Sequence, residues 1–178
     1  MAHRHADLHA IAWRAMLAYG LEPAFPPAAL AEVAAMHDPA SDAAIADLRD
    51  QLWFSIDNDD SRDLDQLTVA ERLPAGAVRL RVAIADVDAL VAAGSAVDGH
   101  ARRNTTSVYT AAQIFPMLPE RLSTDLTSLS DGEDRLAVVT ELDVDDKGTV
   151  LRSTVARAAG IDAQLRFCLL YTSDAADE

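Results

Sequence analysis

"RLAVVTELDVDDKGTVLRSTVARAAG", residues 135–160, decides the fold class. Two long runs rich in Val and Thr flank "DDKG" (145–148), and Asp and Gly tolerate the backbone that a tight hairpin needs. Two long antiparallel strands are predicted. Working backwards, "VRLRVAIADV" (78–87) reads as another long strand, entered by a turn at "PAGA" (74–77) from the alternating "LTVAERL" (67–73). Its second half, Val82 to Ala85, is uninterrupted apolar sequence and is expected to be buried on both faces. "LWFSI" (52–56) is a short apolar run. "GSAVDGHARRN" (94–104) predicts a helix capped by Ser95, and "FPMLPERLS" (115–123) a proline-bounded turn leading into a short helix.

Residues 1–50 have a different texture, alanine-rich and helical. In "DLHAIAWRAMLAYG" (7–20), Leu8, Ile11, Ala12, Ala15, Met16 and Tyr19 share one face at helical spacing, and Gly20 suits a C-terminal cap. "EPAFPP" breaks the chain. Pro27 opens a second helix over "PAALAEVAAM", and Ser41 is placed to cap a third over "DAAIADLRDQL" (42–52). His3, His5 and His9 lack companion ligands at useful spacing and read as solvated histidines. The expected fold is α+β: a mixed, largely antiparallel sheet with short helices, preceded by a small N-terminal helical segment.

The 178 residues carry 29 acids against 15 bases, a net charge of −14. That opposes broad electrostatic binding of nucleic acid, which needs basic surface to neutralise phosphates. It leaves room for a local site where metal ions mediate contact with a phosphate. Cys168 is the one cysteine, so no internal disulfide is available. No 18-residue apolar run is present, and the N-terminus lacks the pattern of a secretory signal. A cytoplasmic protein with no membrane association is the expectation.

"SIDNDDSRDLDQ" (55–66) concentrates five aspartates between Asp57 and Asp65. The plain reading is a solvated acidic turn. A calcium loop of the EF-hand kind wants Gly at position six and Glu at twelve, where counting from Asp57 gives Arg62 and Thr68. A magnesium site is the third reading. Asp63 and Asp65 are two apart, so in extended backbone they point the same way while Leu64 points to the core. Asp57 ends the preceding strand, and the excursion "NDDSR" can fold back to bring it beside them. Asp59 and Asp60 fall in that excursion and are expected to face solvent. Without a cation such a cluster repels itself, with raised pKa values.

These residues resemble the signature of the ribonuclease II (RNB) family, an aspartate at a strand end followed by a D-x-D-D group. "VRLRVAIADVDALVAAGSAVDGHA" and "TTSVYTAAQIFPMLPERLSTDLTSLSDGEDRLAVV" are similar to further family segments, in the family's order, and the likeness runs from about Trp53 to Phe167. The resemblance implies a 3′→5′ exoribonuclease that hydrolyses single-stranded RNA to nucleoside 5′-monophosphates with Mg²⁺, and no role on DNA. Asp57, Asp63 and Asp65 fall on the family's first three acidic, metal-binding positions, and Asp65 on the one most directly tied to catalysis. Tyr109 matches a tyrosine that stacks near the RNA 3′ end. Two departures stand out. The fourth acidic position is Gln66, which offers a carbonyl oxygen to a metal, or to a ligand of one, without charge. The arginine expected before the tyrosine stretch falls on Asn104, with Arg102 and Arg103 beside it as candidate phosphate contacts.

The resemblance further implies that the family's catalytic domain continues past the match. Residues 51–167 are then a partial catalytic domain, with little or no activity expected of this chain alone. The tail "CLLYTSDAADE" (168–178) resembles translated adapter sequence and is expected to be foreign. A competing class is a non-catalytic module binding a cation, RNA or protein, with residues 1–50 as a recruiting segment.

Overall fold

The computed structural model describes residues 7–42, 44–57 and 61–159, together with the backbone of 165–168. The chain divides into two compact units that interleave in sequence: Met1–Asp38 with Leu90–Leu122, and Pro39–Ala89 with Ser123–Glu178.

The second unit is built on a sheet. Its strands are β1 (Ala46–Asp47), β2 (Phe54–Asp57), β3 (Gln66–Arg72) and β4 (Val78–Ala85). After residues of the other unit come β7 (Ala137–Val144), β8 (Val150–Ala159) and β9 (Leu165–Cys168). Among the described residues their order is β1-β8-β7-β4-β3-β2-β9. The interior pairings are antiparallel, and the two outermost, β1 with β8 and β2 with β9, are parallel. This is the α+β architecture expected. The anticipated hairpin forms: Asp145 Oδ1 accepts the amides of Lys147 and Thr149, and Gly148 takes φ +84° to close the turn.

The core lies on one face of that sheet. Trp53, Leu67, Ala83, Leu129 and Ala137 are fully buried there, with Val69, Val139 and Ala158 packed among them. The Trp53 indole N–H donates to the Leu48 carbonyl at 3.2 Å, so its polar edge is satisfied. Further along the same side of β4, Arg79 and Arg81 meet their cross-strand partners Asp143 and Glu141 at 2.7 and 2.8 Å. Contrary to the two-sided burial expected of Val82–Ala85, only Ala83 is fully buried; Val82 and Ala85 are half-buried and Ile84 remains 42% exposed.

The helix expected over 42–52 does not form. Asp42 and Asp47 each accept an amide two residues on, from Ala44 and Arg49, and such local bonds compete with helix. The Leu48 amide is spent on Ala159, alongside β1.

In the first unit, α1 (Leu8–Ala18) is capped by Asp7 and ends as anticipated at Gly20, φ +76°, with Leu21 N–H bonded to Met16 O and Gly20 N–H to Leu17 O. Of the predicted face only Ala12 and Met16 are buried, against Phe115; Leu8, Ile11 and Tyr19 remain exposed. His9 is exposed and meets Gln113 at 3.1 Å. Pro27 opens α2 (Pro27–Ala34), and Ser95 caps α3 (Ala96–Asn104), its Oγ accepting from Asp98 N. The Glu32 carboxylate takes the amides of Ala96 and Val97 at 2.8 and 3.0 Å, tying α2 to the start of α3. The short hairpin β5 (Val108–Tyr109) and β6 (Ile114–Phe115) completes this unit, and the short helix expected after the proline-bounded turn forms, as a π-helix over Arg121–Leu126. Among the described residues no helix is long and apolar enough to cross a membrane.

Candidate active site: the acidic stretch

Asp57 is the last residue of β2 and Gln66 the first of β3, so the acidic stretch is the connection between two neighbouring antiparallel strands. Its second half is extended and anchored. The Ala85 amide donates to Asp65 O at 2.9 Å, continuing the ladder in which Gln66 pairs with Ile84. The Leu129 amide donates to Leu64 O at 2.8 Å, and Leu64 N–H donates to Ser128 Oγ at 3.2 Å. Leu64 is buried at 6% exposure, whereas Asp63 and Asp65 on either side are exposed. This is the alternation the spacing predicts.

Asp63 feels the other two aspartates. The Asp63 carboxyl is pushed above its ordinary value, first by burial, then by the charges of Asp65 and Asp57. The residue as a whole is exposed, so the lost hydration is local to a carboxyl set among other acids. The stretch does not close into a cage: among the described residues no three His, Cys, Asp or Glu side chains are gathered closely enough to hold a metal by themselves. Asp59 and Asp60 lie outside the described residues, as do 169–178 of the tail. The backbone of Cys168 pairs with Asp57 in β9.

A fully enclosing cage is not what Mg²⁺ requires. It commonly keeps several waters and takes one or two carboxylates together with substrate phosphate oxygens. An open row of hard oxygen donors under mutual repulsion fits such a shared ion. Gln66 is exposed at the start of β3.

The remaining candidates lie in the first unit. Tyr109, on β5, is 73% exposed and presents a free aromatic face. Arg103 on α3 is bonded to Glu22 at 2.9 Å, and Arg102 pairs with Asp98 one turn back. Beside them His100 is buried between Glu22 (3.2 Å), Asn104 (3.1 Å) and the ring of Phe25. The sequence reading did not single out Asp86. It is almost wholly buried just after β4 and ion-paired to Arg157 at 2.8 Å. Nothing local in "AIADVDA" distinguishes it from the exposed Asp88, which shares the same Arg157 partner on β8; the two differ in burial.

The RNB domain family model matches residues 45–161. Ribonuclease R of Thermotoga maritima is 44% identical over 109 residues, which cover 61% of this chain and 15% of that protein. RNase R of Mycoplasma genitalium, solved in complex with double-stranded RNA, superimposes with a TM-score of 0.79 at 29% identity, covering 92% of this chain and 29% of that one. The same enzyme in complex with ribose methylated single-stranded RNA gives 0.76 at 30% identity, covering 91% and 26%. The chain thus spans less than a third of the length of each of these relatives.

Proposed function

This chain belongs to the RNB domain family, and from that membership we propose that it carries the metal-binding acidic face of a 3′→5′ exoribonuclease, one that hydrolyses single-stranded RNA to nucleoside 5′-monophosphates with Mg²⁺. The observation that carries the reading is that burial and the charges of Asp65 and Asp57 raise the Asp63 carboxyl. The names of the relatives, and the RNA in two structures of the M. genitalium enzyme, support the substrate class.

A bound divalent cation supplies Lewis-acid stabilisation of phosphoryl charge and a more acidic water. The chain's own residues hold and orient. Asp57, Asp63 and Asp65 offer the carboxylate oxygens, with Asp65 closest to the chemistry, and Gln66 contributes a neutral oxygen. Tyr109 offers a face on which any base can stack, and Arg103 a positive charge for a phosphate.

The test is a chimera in which residues 45–161 replace the matching segment of T. maritima ribonuclease R. It should release nucleoside monophosphates from the 3′ end of single-stranded RNA, and Asp65→Asn should slow that release by roughly a hundredfold or more while RNA binding persists. Unchanged hydrolysis in Asp65→Asn would remove that residue from the site. A chimera that binds RNA but does not cut it supports a non-catalytic cation-binding or RNA/protein interaction module, the reading favoured by the neutral Gln66.

A further inference from the structure

We infer that Ser128 is a positioning residue for the metal-binding acids, a role that rests on the reading of Asp63 and Asp65 as cation ligands. Ser128 is 1% exposed and lies 64 residues along the chain from Leu64, whose backbone it holds. Its hydroxyl donates to the Arg62 carbonyl at 2.9 Å and accepts the Leu64 amide at 3.2 Å. Ser130 Oγ lies 3.1 Å away. One proton and two lone pairs are all a serine hydroxyl has. If the proton goes to Arg62, the lone pairs take the Leu64 N–H and the Ser130 O–H, and the capacity is fully used.

The two backbone groups it grips bracket Asp63. The next residue adds a third anchor, since the Leu129 amide donates to Leu64 O at 2.8 Å. Arg62 and Leu64 are thus pinned on either side of Asp63, so its Cα has little freedom and its carboxylate stays on the side shared with Asp65. A row of like charges under repulsion tends to splay. The clasp opposes that from behind, without touching an acid or a cation.

The test is Mn²⁺ binding to the intact 178-residue chain, followed by electron paramagnetic resonance at a temperature well below unfolding. Wild type should bind Mn²⁺, and Asp63→Asn should abolish it. Ser128→Ala should weaken binding about tenfold, the usual scale for a group that orients a ligand. Ser130→Ala, which leaves both backbone bonds in place, and Leu67→Ala, which loosens the core without touching the clasp, should keep wild-type affinity. If Ser128→Ala does not fold, Ser128→Cys decides by the same criterion, because it leaves no void and weakens both hydrogen bonds. Equal affinity in wild type and the Ser128 variant overturns the inference and leaves the cation site standing. Absence of any Mn²⁺ binding that Asp63→Asn removes overturns both together. A loss matched by Leu67→Ala reduces Ser128 to a contributor to stability and also overturns the inference.

Discussion

Asp63 is held in the folded chain at a cost that depends on pH. Its carboxyl is raised above the ordinary 3.8 by burial and by Asp65 and Asp57, so the folded state disfavours its charged form. The sign follows by linkage. The penalty is fully present above the raised folded value and vanishes below the unfolded one. Asp63→Asn should therefore raise the melting temperature at pH 7 in the presence of chelator and leave it unchanged near pH 3, as differential scanning calorimetry would show. A lower melting temperature at pH 7 would mean that the aspartate is stabilising and that the repulsion is not felt. The acids were legible in the sequence because their logic is local: a spacing of two around an apolar residue, next to a strand end. The hydroxyl that pins them was not: "LTSLS" lies in a stretch similar to the family's, but the bonds of its first serine reach a target distant in the chain.

At the scale of elements, β3 and α3 show two different sources of order. Leu67 is wholly enclosed on β3, and Leu67→Ala should cost roughly 2–5 kcal/mol, read as a lower urea midpoint. In the β7–β8 turn, Gly148 stands at φ +84°, where a Cβ is unfavourable, and Gly148→Ala should cost roughly 1–2 kcal/mol in the same assay. The start of α3 relies on charge instead. The amides of Ala96 and Val97, in that order, hold the Glu32 carboxyl below its ordinary 4.5. Its contribution is present above that value and is lost as pH falls through the lower folded one. The melting-temperature gap between wild type and Glu32→Gln should thus be widest near neutrality and close in acid; a gap independent of pH would refute the charged cap. Patterns of apolar residues and turn chemistry located β3, β4, β7, β8, α1 and α3. They failed at 42–52, where helix-compatible alanines are outweighed by two aspartates that bind their own backbone, and where β1 gains its partner only from β8.

For the whole molecule, the net charge of −14 sets the response to salt. Raising ionic strength from about 10 mM to about 150 mM shortens the screening length from roughly 30 to 8 Å, which weakens long-range self-repulsion more than the half-buried pairs of Arg79 and Arg81. The melting temperature should rise without divalent ions present, by roughly 2–4 °C for each kcal/mol of repulsion removed. A fall would show that the cross-strand pairs outweigh the excess of negative charge. The interleaving of the two units could not be read from linear texture, because a change in composition near residue 50 says nothing about which distant segment a strand will join. That interleaving bears on birth as well as on structure. Ala46 waits for Ala158, and Phe54 for Leu165, before either edge of the sheet is complete. At ~5–20 residues per second, the ribosome takes on the order of ten seconds to deliver those partners. For that interval the nascent chain displays β1, Trp53 and the flank of β2 to whatever chaperones surround the exit tunnel.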